Sequence, residues 1–328
     1  MNYKESKEIF EKIESADKIL LNCHVSPDPD SVGTALALYV FLTKNKKKVD
    51  VLTPSLVPET LRFLGKSSLI IEEADFGKFN FSDYDLFIAV DSATPSMVTG
   101  DKNIPLPKMP VVVIDHHPTN EFYGDINLID ASQGSCAELV YRIFEDWEFE
   151  VDSETATYLM TGIIGDTGAF RYSNTTSETL RLAARLLERG ASKEEIILNL
   201  FNKMSFELVK LLGVFIENLK LEEEYKFAWS AIDFQSYAKF GLPDGTEAAN
   251  SFIKNIDGLN FGIKMYEEEE GKLRVSFRSR TDFDVSKIAQ VLGGGGHRKA
   301  AGVSVNGLDF DKAVAKVVET AKRFSAIQ

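Results

Sequence analysis

Two cysteines, Cys23 and Cys136, are too few for a disulfide framework, which points to a reducing, cytoplasmic setting. No apolar run approaches the roughly 18 residues that a membrane-spanning helix needs. The opening stretch, MNYKESKEIFEKIESADKIL, scatters charges through its apolar positions and holds no continuous hydrophobic core, so neither a membrane nor a signal peptide is expected. Basic charge is short as well: 37 Lys and Arg stand against 50 Asp and Glu, a net charge of −13. Proteins that track long nucleic acid carry a basic face, because neutralising phosphates supplies most of their affinity. Long nucleic acid is therefore not an expected partner, although a local basic patch can still hold a short anionic ligand. Internal repeats and low-complexity segments are absent.

What is present first is an alternation of strand-like and helical patterns. KILLNC (18–23), KVDVLT (48–53), YDLFIAV (84–90) and MPVVVI (109–114) are continuous apolar runs of strand length. Continuous rather than alternating runs predict a mainly parallel sheet with helices on both faces, an α/β domain. GTALALYVFLTKN, SCAELVYRIFEDW, SETATYLMTGIIG and SETLRLAARLLERG supply the helices, the last closed by Gly190. This first domain spans 1–190. An amphipathic helical linker is expected over 191–222. Residues 223–328 change rhythm: KFAWSAI, a helix through EAANSFIKNI, a hairpin of NFGIKMY and KLRVSFRSR, then a helix, GGGGH, a strand and a last helix. That mix predicts a smaller α+β domain. Glu267 to Glu270 at the hairpin are expected to be a solvated loop tip.

Histidine is scarce, and its placement is informative. His24 lies in NCHVSPDPDSVG, His116 and His117 in VIDHHP, and His297 in GGGGHRKAAG. A lone histidine is usually only a satisfied polar residue, and PDPD or DHH alone is a weak signal. Here all four fall beside strand ends or glycine loops. The aspartates follow suit. Asp28 and Asp30 come shortly after KILLNC, Asp91 follows YDLFIAV, and Asp115 follows MPVVVI, whereas Asp166 arrives after a helix in GIIGDTGAFRY. Ligands of open parallel sheets bind beyond the carboxyl ends of the strands, where neighbouring strands would deliver these groups together. Four or five carboxylates on one rim need cations to stay ionised. An oxygen-rich set with imidazoles and no thiolate pair suits two divalent ions, Mn²⁺ first, with Mg²⁺, Co²⁺ or Fe²⁺ also compatible. Two such ions about 3.5–4 Å apart recur in phosphoryl hydrolysis.

Taken in order, HxxPDxDSxG, Asp91 at a strand end, DHH followed by Pro118, GDTGAFRYSNTT, and FRSR…DVSKIA…GGGGHRKAAG make the chain resemble the DHH phosphoesterase superfamily. More narrowly it is similar to the nanoRNase/pAp-phosphatase group with a C-terminal DHH-associated domain, and the resemblance covers nearly the whole chain. It implies that His24 and Asp28 bind one metal, that Asp30, His116 and Asp166 bind the other, and that Asp91 bridges them. It further implies that Asp115 orients a metal-bound imidazole and that His117 contacts the scissile phosphate. In the second domain Gly294, Gly295 and Gly296, with His297, would approach a phosphate. Arg278 and Arg280, taken as alternating along one strand, would share a face and clamp another. Arg171 is a further candidate substrate contact. Two positions depart from the family pattern: Pro29 stands where glycine is frequent, and Met97 lies near where many members carry arginine.

The implied activity is two-metal hydrolysis of short oligoribonucleotides (nanoRNA) and pAp to nucleoside monophosphates. The alternative, a dedicated cyclic di-AMP or pApA phosphodiesterase, shares the same motifs. A non-catalytic nucleotide sensor would have no need of a complete ligand set. The resemblance also implies a homodimer.

Overall fold

The structure, a computed structural model, describes residues 2–243, 246 and 248–326 and divides into two compact units, Met1–Lys203 and Met204–Gln328. In the first unit α1 (Lys4–Ser15) leads to β1 (Lys18–Asn22), α2 (Pro29–Lys44), β2 (Lys48–Leu52) and β3 (Ile70–Ile71). Then come β4 (Leu86–Val90), α3 (Pro95–Thr99), β5 (Val111–Asp115) and β6 (Ile126–Ile129). Four helices close the unit: α4 (Cys136–Asp146), α5 (Ser153–Asp166), α6 (Ser177–Glu188) and α7 (Lys193–Phe201). The strands form one parallel sheet in the order β3-β2-β1-β4-β5-β6. The chain winds outward in both directions from the β1/β4 pair, which makes that pair the switch point where a crevice opens at the strands' carboxyl ends.

Every residue of β4 and β5 is buried, which is why both read as unbroken apolar runs. Ile19 and Leu21 face the helices of α1, α2, α4, α5 and α6, while Leu20 faces the opposite side. That opposite side is covered differently from the helical layer expected. Short α3 and a loop-borne group including Phe76, Phe79, Phe81, Leu106 and Met109 seal it. β3 and β6 escape the sequence pattern because they are short edge strands with mixed burial.

The single helical linker expected over 191–222 is instead two helices lying in different units. The break has a local cause: the Ser205 hydroxyl accepts the Leu208 N–H at 3.0 Å and so starts a new helix. That helix, α8 (Phe206–Glu217), opens the second unit, followed by β7 (Lys220–Glu222), β8 (Phe227–Ile232), α9 (Phe234–Ala238) and α10 (Ala248–Lys254). Glu247, at the start of the expected EAANSFIKNI helix, lies outside the described residues. β9 (Phe261–Glu269), β10 (Lys272–Ser279), α11 (Ser286–Val291), β11 (Gly295–His297), β12 (Ala300–Asn306) and α12 (Phe310–Ser325) complete the chain. The sheet order is β11-β12-β10-β9-β8-β7, mixed, with β8 and β9 parallel. Ile263, Met265, Leu273, Val275, Phe277, Val303 and Val305 alternate onto one face and pack with Val317 and Ala321 of α12.

The acidic hairpin is not wholly a solvated tip. Glu267 is buried, accepting Phe234 N–H at 3.0 Å and Gly271 N–H at 2.8 Å. The turn itself falls at Gly271, whose φ of 78° suits glycine.

Candidate metal centre

Five chain segments meet at the carboxyl rim of the parallel sheet. β1 runs on to His24, β4 to Asp91, and β5 ends at Asp115 with His116 and His117 just beyond. Asp28 is the N-cap of α2, its Oδ1 accepting the N–H groups of Asp30 and Ser31 at 3.0 and 2.9 Å. Asp30 lies in the first turn of that helix, and Asp166 ends α5. Asp91 turns away from its strand with φ 52°, a left-handed conformation that an aspartate tolerates better than most residues. Its N–H still bonds Ile114 O at 2.9 Å, so the strand stays paired while the carboxylate swings to the rim.

The distances draw these side chains together. His24 Nε2 is 3.6 Å from both Asp28 Oδ1 and Asp91 Oδ2. His116 Nε2 is 3.0 Å from Asp166 Oδ2, 3.4 Å from Asp91 Oδ1 and 3.9 Å from Asp30 Oδ2. Three overlapping groups of donor atoms, each within 4.8 Å, result: His24–Asp28–Asp91, Asp30–His116–Asp166 and Asp91–His116–His117. Asp91 belongs to two of them.

The imidazoles of buried His24 and part-buried His116 are aimed by backbone carbonyls. His24 Nδ1 donates to Val25 O at 2.8 Å and His116 Nδ1 to Gln133 O at 3.3 Å. A carbonyl can only accept, so Nδ1 carries the proton and Nε2 of the neutral ring presents its lone pair to the carboxylates. His116 Nε2 and Asp91 Oδ1 are buried without a hydrogen-bond partner, electron pair toward electron pair. Without a cation that arrangement demands protons. Burial disfavours the charged ring of His116, but Asp166 and Asp91 outweigh it and push its pKa up to about 12. Burial likewise opposes, and Asp28 and Asp91 reverse, the shift of His24 up to about 11. Burial, then Asp91 and Asp166, hold the Asp30 carboxyl well above the carboxylate range. Divalent cations would take the place of those protons, and the donor set, four carboxylates and two imidazoles, fits them.

Asp115 departs from the role expected of it. Its Oδ1 holds the ring of His117, at 2.7 Å from Nδ1, while His116 gives it only a backbone N–H at 2.9 Å. The imidazole that Asp115 orients is therefore that of His117. Asn120 Nδ2 bonds Asp115 Oδ2 at 2.6 Å and Ser92 O at 3.1 Å, fixing the carboxylate from behind. The His117 side chain is 36% exposed against 8% for His24 and 12% for His116, so it faces solvent.

The support around Asp30 was not anticipated. Cys136 N–H and Ala137 N–H, at the start of α4, donate to Asp30 Oδ2 and Oδ1 at 2.6 and 2.9 Å. Helices α2 and α5 approach almost backbone to backbone: a Cβ on Gly33 would lie 2.4 Å from Tyr158 O, and one on Gly162 2.4 Å from Asp30 Oδ1. A Cβ on Gly165 would strike the Pro29 ring at 2.6 Å. Two glycines within one helical run were the available signal, since each weakens a helix by about 1 kcal/mol relative to alanine.

The remaining candidates are Arg171 in the first unit and Arg278, Arg280, Gly294, Gly295, Gly296 and His297 in the second. Arg171 Nε bonds Gly168 O at 2.6 Å and its guanidinium sits 5.7 Å from the Phe201 ring centre. Arg278 lies on β10 and lines a cavity of the second unit with Gly295 and Gly296. Arg280 does not share that face. It follows the strand's end at Ser279 and pairs with Asp257 at 2.8 Å. Gly294 packs where a Cβ would meet Gly302 O at 2.2 Å, and His297 ends β11 exposed.

Residues 18–163 match the DHH family, N-terminal domain, and residues 242–324 match the DHHA1 domain. A protein named bifunctional oligoribonuclease and PAP phosphatase NrnA from Thermus thermophilus is 33% identical, over 93% of this chain and 89% of its own length. A Bacillus subtilis protein of the same name is 29% identical, over 95% of this chain and 97% of its own. Among solved structures, an exopolyphosphatase-related protein from Bacteroides fragilis has a TM-score of 0.89 at 26% identity, covering 98% of this chain and 97% of that one. DHH phosphoesterases are metal-dependent hydrolases, and groups able to bind such metals meet at the rim described above. With that rim, both domains in order and a relative aligned over nearly its whole length, this chain belongs to the DHH family of phosphoesterases.

Proposed function

We propose that this protein hydrolyses short oligoribonucleotides and pAp to nucleoside monophosphates with two divalent cations, Mn²⁺ in the first instance. The observation that carries the reading is the double membership of Asp91, whose two oxygens face His24 on one side and His116 on the other. In this reading His24 and Asp28 hold one ion, Asp30, His116 and Asp166 the other, and Asp91 both. The cations supply the acidity that makes water a nucleophile at neutral pH and the positive charge that non-bridging phosphoryl oxygens need. His117, kept upright by Asp115 and Asn120, donates a hydrogen bond to one of those oxygens as charge gathers there. The first unit cuts, and the basic cavity of the second, with Arg278 and Gly294 to His297, binds substrate not being cut; Arg171 and Arg280 are weaker candidates for the same task.

Short substrates agree with the acid excess of the chain. A cytoplasmic location belongs to the same reading, since Cys23 and Cys136 are both free; no helix among the described residues is long and apolar enough to cross a membrane. A homodimer is also proposed, on the exposed apolar side chains of Phe206, Val209 and Ile216 along α8, and light scattering would test it.

The decisive experiment analyses products from a labelled RNA pentamer, pAp, pApA and cyclic di-AMP with Mn²⁺, Mg²⁺, Co²⁺ or Fe²⁺. Turnover of the pentamer and pAp, lost in Asp91→Ala and His116→Ala, supports the proposal. Cleavage confined to pApA or cyclic di-AMP would replace it with the dedicated di-adenylate activity, and binding without turnover with a sensor.

A further inference from the structure

The open face of the second sheet forms a cavity of about 420 Å³ whose lining includes Lys264, Tyr266, Arg274, Ser276, Arg278 and Ser304. The sequence pattern dictates this. Alternation along β9, β10 and β12 sends the apolar side chains to the α12 face and these polar ones to the other. Among the described residues, every charged one lining the cavity is basic, in a chain whose net charge is −13. A cavity of that sign concentrates anions.

The two arginines occupy different ends. Arg278 stands opposite Ala300, where β11 still pairs with β12, beside the glycine run. Arg274 stands opposite Ser304, beyond the last residue that β11 reaches. Four residues on one strand separate them by about 13 Å. Arg62, Arg181, Arg185, Arg189 and Arg280 each pair with a carboxylate, whereas Arg142, Arg171 and Arg298 bond an amide or backbone oxygen. Arg274 instead donates to a neutral hydroxyl, Ser304 Oγ, at 3.0 Å. A guanidinium placed in a cavity and braced without being neutralised keeps its charge and most of its N–H fork for a ligand.

We propose that Arg274, braced by Ser304, is a length-determining residue: it binds a phosphate of an oligoribonucleotide that a single nucleotide held at the Arg278–Gly295 end does not reach. This rests on the proposed hydrolysis of short oligoribonucleotides. The residue touches substrate away from the bond being cut, so its contribution belongs to binding, and longer substrates gain from it more than pAp does.

The test compares Arg274→Ala, Arg274→Lys and Arg278→Ala with the parent on a labelled RNA pentamer and on pAp. In Arg274→Ala the ratio of kcat/KM for the pentamer to that for pAp falls about tenfold, through KM rather than kcat, as loss of one hydrogen-bonded charge implies. Arg274→Lys keeps the charge without the fork and falls between; Arg278→Ala lowers kcat/KM for both substrates. Fluorescence polarisation of the labelled pentamer, with metal chelated so that nothing is cut, shows the same order of weakening. An unchanged ratio in Arg274→Ala, or a fall carried by kcat alone, overturns the inference. If the parent cuts neither substrate the proposed function fails, while polarisation still decides the inference: binding unaffected by Arg274→Ala overturns it.

Discussion

Asp115 meets His117 through one carboxylate oxygen and Asn120 through the other, so the whole of VIDHHPTN acts as one rigid support. Removing the end of that chain should leave the ions in place and slow chemistry. His117→Ala is expected to lower kcat by roughly 10²- to 10³-fold, the usual cost of one donor to a developing oxyanion, with two bound ions per chain still measured by elemental analysis. Asn120→Ala removes a buried donor and leaves Asp115 Oδ2 short of a partner, while Ser92 O keeps the Tyr123 hydroxyl at 2.9 Å. A stability loss of about 1–3 kcal/mol in urea titration follows, with a smaller fall in kcat than His117→Ala. The rim residues were legible in the sequence because few side-chain types can hold cations and these fall at strand ends. Asn120 was not, since an asparagine after a proline also reads as a turn former.

At the scale of elements, the strands announced themselves wherever both faces are covered, as in β4 and β5, and stayed silent in β3 and β6, which are short and partly exposed. The contact of α2 with α5 was equally hidden, because a glycine in a helix pattern does not say what it approaches. That contact yields a paired prediction. Gly165→Ala forces a methyl into the Pro29 ring and should cost about 1–3 kcal/mol. In a Pro29→Gly background the cost should shrink, and a double-mutant cycle by denaturant unfolding measures the coupling. The start of α5 carries a pH dependence. Burial works against the Asp152 carboxylate, but Lys44 and the Thr155 N–H lower its pKa from 3.8 to about 2. A folded value below the unfolded one means stability is fully present above about pH 4 and is lost as pH falls through 2. Asp152→Asn, which can still cap the helix, should flatten that part of the stability curve measured by thermal melts between pH 5 and 2.

For the molecule as a whole, the proposed ligands run from His24 to Asp166, first and last served by β1 and α5. No short peptide within the chain can reproduce the set, so the unfolded chain binds the ions poorly and binding energy becomes folding energy. Chelation should lower Tm, and titrating Mn²⁺ back should raise it steadily, by about 2.7 kcal/mol of stability at a hundredfold excess over Kd. A Tm indifferent to chelation would contradict the proposed centre. The meeting of five segments at one rim then has a cellular consequence. When divalent ions are scarce, the carboxylates must take up protons or repel one another, and the first unit opens more often to proteases. Ion supply would set how long each copy survives as well as how fast it works, so the amount of enzyme itself becomes a record of the metal available while it was made.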